Sequence, residues 1–141
     1  MNKDFRFYFG TMSSMKTATV LMTAHSMREK CLNVWLIKSA IDTRDGVDTI
    51  ASRVGIKAKA DAVIYPNDKI YDLMPEIIPD IILADESQFF SEEHIDELRA
   101  ISIEYDIPVY CYGLRNQADT KLFEGSRRLF EVADKLIEME S

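Results

Sequence analysis

Residues 10–17 read Gly10-Thr11-Met12-Ser13-Ser14-Met15-Lys16-Thr17. An apolar run, Phe5-Arg6-Phe7-Tyr8-Phe9, precedes them and a helical pattern follows. Strand, short loop ending in Lys-Thr, then helix is the layout of the phosphate-cradling loop G-x-x-x-x-G-K-[ST]. In such a loop, backbone N–H groups and a helix N-terminus face the phosphates. The lysine adds a mobile positive charge, and the hydroxyl of the Ser or Thr holds magnesium. Ser13 and Ser14 offer further donors. The departure is Met15, which stands where the pattern has its second glycine. A glycine there permits positive φ and a close approach of backbone to phosphate. A methionine forced into that left-handed conformation would cost about 1–2 kcal/mol. Read alone, the stretch equally suits a turn that happens to hold Lys and Thr.

A second stretch, "IILADESQFF", places Asp85 and Glu86 directly after an apolar run, Ile81-Ile82-Leu83-Ala84. Continuous apolar runs of this length suit a central parallel strand covered on both faces. A carboxylate at its end can bind magnesium opposite Thr17. The neighbouring Glu86 can accept a proton from an attacking hydroxyl. The bland alternative is an acidic strand end wetted by solvent. The two stretches together favour a nucleotide-phosphate fold.

The rest of the chain alternates strand and helix. Phe5–Phe9 suits a first strand, and Lys16 to about Lys30 a helix with Val20, Leu21, Ala24 and Met27 on one face. Asn33–Ile37 reads as the second strand and residues 42–55 as irregular, rich in turn residues. Ala62–Ile64 is a short strand candidate, and 69–78 a helix candidate weakened by Pro75. Ser91 caps a helix running to about Tyr105, with Glu92 and Glu93 in its first turn, where the helix dipole favours them. Val109–Tyr112 is a strand ended by Gly113, and Lys135–Glu138 a last edge strand. The pattern predicts an α/β domain with a mainly parallel sheet flanked by helices, as in P-loop NTPases of RecA-like type, over residues 1–141 as a single domain.

Size and charge agree. The 141 residues make one ordinary domain, 47% of them hydrophobic. Seventeen basic against 24 acidic residues give −7, which argues against a nucleic-acid groove. No stretch is long and apolar enough to suggest a membrane span, and "MNKDFRFYFG" lacks the apolar centre of a secretory signal. A cytoplasmic protein is the expectation. The two cysteines, Cys31 and Cys111, read as buried or incidental thiols, and His25 and His94 as structural or surface residues.

At this point the chain resembles the cytosolic-type thymidine kinases, in particular their bacterial members. The resemblance rests on "YFGTMSSMKT", "AIDTRDGVDTIASRVG", "ILADESQFF" and the long "DIPVYCYGLRN…LFEGSRRLFEVADKL". It implies phosphorylation of the 5′-hydroxyl of thymidine or another deoxynucleoside by ATP with Mg2+. It implies that Gly10, Thr11, Met12, Ser13, Ser14, Met15, Lys16 and Thr17 hold the ATP phosphates, and that Asp85, Glu86, Ser87 and Gln88 belong to the same ATP site. Thr17 and Asp85 are the implied magnesium ligands, Glu86 the base, and Arg44 the charge that stabilises the transferring phosphoryl. Asp42 would organise the metal's waters. Phe89, Met12 and Arg115 would line the thymine pocket, and a tetrameric homo-oligomer would be the working form. Each has a plainer reading: Arg44 as a solvated loop charge, one of Phe89 and Phe90 as a core aromatic, Met12 as filler.

Besides Met15, two departures stand out against the resemblance. Asn116-Gln117-Ala118 occupies a place where family members carry an aspartate and then a phenylalanine that packs on the nucleoside. The family also continues into a zinc-binding lobe with four cysteines and a loop that closes over thymidine; these 141 residues carry no counterpart, and zinc is not expected in them. Two other readings therefore stay open. One is a catalytically impaired relative that binds nucleotide or a partner, the other an ATPase with a different acceptor.

Overall fold

The computed structural model describes residues 4–11, 15–41 and 46–140. The chain opens with β1 (Phe5–Gly10), α1 (Lys16–Glu29) and β2 (Val34–Ser39). A small pair follows, β3 (Thr49–Ala51) and β4 (Lys57–Lys59), then β5 (Ala62–Ile64) and a one-turn helix α2 (Ile70–Leu73). Next come β6 (Ile81–Asp85), a 3₁₀ turn (Ser87–Phe89), α3 (Glu92–Glu104), β7 (Val109–Leu114), α4 (Glu124–Val132) and β8 (Lys135–Glu138).

Six strands form one sheet in the order β5-β2-β6-β7-β1-β8, every pairing in it parallel. A parallel sheet needs cover on both faces. Phe5, Phe7, Ile37 and Ile82 of the strands share one core with Ile95, Leu98 and Ile101 of α3 and Leu129 of α4. The alternate strand residues Leu36, Ile81, Leu83 and Tyr112 turn to the other face and pack with Val20, Leu21 and Ala24 of α1. All five residues of β6 are buried, as the apolar run anticipates. The α/β class with a parallel sheet flanked by helices is what the alternation of elements predicts.

Three stretches differ from the sequence reading. The helix expected over 69–78 is only Ile70–Leu73, because Met74, which precedes Pro75, takes an extended conformation (φ −61°, ψ 139°). Within 42–55, read as irregular, Thr49–Ala51 pairs antiparallel with Lys57–Lys59, and Ile50, 3% exposed, packs into the α1 core. A three-residue strand carries too little alternation to be seen in sequence. Residues 124–132, to which the sequence reading assigned no element, form α4; Gly125, Ser126 and Leu129 are its buried positions, and Phe130 and Val132 pack half-buried against the same core.

The loops after β1, β6 and β7 leave the sheet at its carboxyl edge, where parallel α/β sheets bind ligands. One strand, β7, separates β1 from β6, so the two loops with candidate chemistry face each other across a single strand.

Candidate active site

The phosphate side is built at the end of β1 and the start of α1. Gly10 is buried at the strand's end and Thr11 exposed just after it. Met12, Ser13 and Ser14 lie outside the described residues, as do Asp42 and Arg44. Met15 takes φ −89° and ψ 37°, and its side chain is 45% exposed. The backbone here is not left-handed, so the strain expected of a methionine in place of glycine does not arise.

Lys16 begins α1 and is 9% exposed, its Nζ donating to the Thr11 carbonyl at 2.5 Å. Burial pushes the ammonium below the ordinary lysine range, and the carboxylates of Glu86 and Asp85 pull part of the way back. A buried cation facing two carboxylates and a helix N-terminus is an arrangement suited to a polyanion with a bound divalent metal. At the next residue, Thr17 Oγ1 donates to Asp85 Oδ2 at 3.1 Å, joining positions 68 residues apart. Asp85 is 3% exposed. A hydroxyl and a carboxylate oxygen side by side are hard donors of the kind magnesium takes while keeping most of its waters. The residues present therefore fit that metal.

Beyond Asp85 the chain turns sharply. Glu86 sits in the left-handed region, φ 53° and ψ 39°. A side chain there costs on the order of 1–2 kcal/mol, and such strain persists only where neighbours fix it. The neighbours are visible. Ser87 Oγ donates to the Ala84 carbonyl at 2.9 Å. A Cβ on Gly113 of β7 would stand 2.9 Å from Gln88 N, and a side chain at Gly125 of α4 would collide with the Ser87 carbonyl. Two missing side chains thus let the turn wedge between β7 and α4. Ser126 Oγ donates to the Leu114 carbonyl and ties the same two elements. Gln88, 2% exposed, donates from Nε2 to Glu86 Oε2 at 2.6 Å and accepts at Oε1 from the Leu114 N–H at 3.2 Å.

On the nucleoside side, Phe89 is half-buried and meets Phe123 edge-on at 5.6 Å, while Phe90, 1% exposed, is part of the core. Phe89 lines a cavity of about 290 Å3 with Ser39, Gln88, His94 and Phe123. Arg115 lines another, of about 580 Å3, with Phe9, Leu114, Ala118 and Phe123. The two residues expected to border one pocket therefore border two, with Phe123 common to both. Arg115 also places its guanidinium 5.9 Å from the centre of the Phe130 ring.

Several residues escaped the sequence reading. Phe123, Gly113 and Gly125 lie inside quoted stretches, yet only packing shows that they shape the site. Lys38 is another: 1% exposed on β2, it donates to the carbonyls of Thr49 at 3.1 Å and Gly46 at 3.4 Å. In the sheet register it pairs with Asp85. A lysine inside an apolar strand pattern, VWLIKS, was the available signal. His94 is buried and its Nε2 lies 2.7 Å from the Asp68 carbonyl, while His25 pairs with Glu29 on the exposed side of α1. No helix among the described residues is long and apolar enough to cross a membrane.

Comparison with known proteins agrees with the sequence resemblance. The family "Thymidine kinase" matches residues 3–141. The thymidine kinase of Listeria monocytogenes is 42% identical over 137 residues, covering 96% of this chain and 71% of that protein. That of Lactiplantibacillus plantarum is 39% identical over 137 residues, covering 96% and 71%. That of Enterobacteria phage T4 is 40% identical over 139 residues, covering 96% and 72%. With a parallel α/β sheet whose β1 and β6 loops bring Lys16, Thr17, Asp85 and Glu86 together, and a match that spans nearly the whole chain, the protein belongs to the thymidine kinase family.

Proposed function

We propose that this chain transfers the γ-phosphoryl group of ATP to the 5′-hydroxyl of thymidine, as one kinase-like domain acting in the cytoplasm in a tetrameric homo-oligomer. The observation that carries the reading is the Thr17–Asp85 contact at 3.1 Å, with Lys16 buried beside it. Lys16 and the N-terminus of α1 hold the β- and γ-phosphates. Gly10 to Met15 hold the phosphates, and Ser87 and Gln88 belong to the turn that carries Glu86 at the edge of that site. Thr17 and Asp85 hold Mg2+, which neutralises phosphate charge when bound. Asp42 orients the metal's waters.

Glu86 takes the proton of the 5′-hydroxyl as its oxygen bonds to the γ-phosphorus and the bond to the β–γ bridging oxygen breaks. ADP leaves with that bridging oxygen. Arg44 offsets the charge that spreads over the transferring group. Phe89, Met12 and Arg115 contact the nucleoside. Most of the catalysis is positioning and charge stabilisation.

The test is a coupled assay with ATP–Mg and either thymidine or deoxyuridine, run beside Glu86→Gln. Loss of the base should lower kcat by roughly 10²–10⁴-fold. A parent protein with no turnover above that variant would overturn the proposal.

A further inference from the structure

The Gln88 side chain does something that its place in an ATP-site motif does not suggest. Its amide is buried between the Glu86 carboxylate and strand β7. The orientation follows from chemistry. The Leu114 backbone N–H can only donate, so Oε1 must face it, at 3.2 Å. The NH2 group is then aimed at Glu86 Oε2, at 2.6 Å. A hydrogen bond to an ionised acceptor is roughly twice as strong as a neutral one. Glu86 has its own backbone held in the left-handed region, so its side chain leaves the turn in a direction set by that strain. Gly113 leaves the room: a Cβ there would stand 2.7 Å from Gln88 Oε1.

We propose that Gln88 is the positioning residue of Glu86, a buried strut that runs from the Gly113–Leu114 backbone of β7 to the carboxylate of the base and fixes it by one oxygen. The proposal rests on Glu86 acting as base in the reaction proposed above. It assigns Gln88 to the acceptor side of the chemistry and makes Gly113 part of the same device. A misplacement of about 1 Å in reacting groups can cost on the order of 100-fold in rate. The Gln88 contribution therefore belongs in kcat.

Gln88→Met keeps the volume and removes both hydrogen bonds. In the full chain it should lower kcat by about 10–100-fold and move KM for ATP and for thymidine by less than about 3-fold. Gln88→Glu should also fail to restore kcat, because two buried carboxyl groups at this distance share one proton, which lies on the base or is shared with it and so blocks its uptake of another. A raised KM for ATP with kcat unchanged would overturn the proposal, because it would make Gln88 an ATP contact. Crystals of Gln88→Met give a readout that needs no turnover. The Glu86 carboxylate should occupy more than one rotamer, against a single one in the parent; a single parent-like rotamer would also overturn the proposal. If the parent itself fails to phosphorylate thymidine, the kinase reading falls, and the rotamer comparison still decides the role of Gln88.

Discussion

Glu86 and Met15 show how differently two unusual residues of one site relate to the backbone. Glu86 occupies the left-handed region without being glycine, and the wedge of Gly113, Gly125 and Ser87 holds it there. Met15 stands where the phosphate-loop pattern has glycine, yet its φ is −89°. Nothing at position 15 needs a glycine's freedom, so Met15→Gly relieves no strain and adds only chain flexibility to the unfolded state. Its stability in urea should differ from the parent by less than about 1 kcal/mol, with no gain in ATP affinity beyond a few-fold; a large gain in either would contradict the observed backbone. The two thiols differ as clearly. Burial pushes the Cys111 thiol up to about 12, while Cys31 is exposed just after α1. Only the thiolate reacts. A chromogenic disulfide at pH 8 should therefore titrate one thiol per chain quickly and the second only on unfolding, and two fast thiols would show that the β7 core opens readily.

At the scale of elements, the site depends on how closely three of them approach. The 3₁₀ turn after β6 lies against β7 at Gly113 and against the first turn of α4 at Gly125. Gly125→Ala places a methyl group on the Ser87 carbonyl, and backbone cannot yield as a flexible side chain would. Overpacking of this kind costs about 1–3 kcal/mol. Thermal unfolding should show that loss together with reduced turnover, since the displaced turn carries Glu86; an unchanged midpoint would show that α4 is free to shift outward. Elements were also where sequence was read best and worst. The apolar run Ile81–Ala84 followed by Asp85 announced a buried strand with chemistry at its end, because both faces of a parallel strand are covered. Ser91 announced the start of α3, and its side chain accepts from His94 N at 3.1 Å. The β3–β4 pair and α4 were missed. The first is held by one buried isoleucine, and the second buries Gly125 and Ser126 in two of its three core positions. The three-residue strands are too short to show a period, whereas Leu129, Phe130 and Val132 of α4, turned toward the core, were a signal the sequence did offer.

For the whole molecule, the order β5-β2-β6-β7-β1-β8 decides which loops meet. Alternation of elements predicts the class but not that order, and so not that Phe89 and Arg115 face different cavities with Phe123 between them. Nor could spacing show that Thr17 and Asp85, 68 positions apart, lie within hydrogen-bond distance. The order also explains why Lys16 is buried in a chain of net charge −7: the carboxyl edge collects the end of β6, with its two carboxylates, beside the start of α1. The account stands or falls on whether that edge takes a triphosphate. Calorimetric titration of the parent with ATP–Mg, then with thymidine, compared with Lys16→Met, tests this most directly. Charge-assisted contacts of about 1.5–3 kcal/mol imply saturable ATP binding that weakens roughly 10–100-fold in Lys16→Met. No saturable heat from the parent, or equal affinity in the variant, would contradict the account.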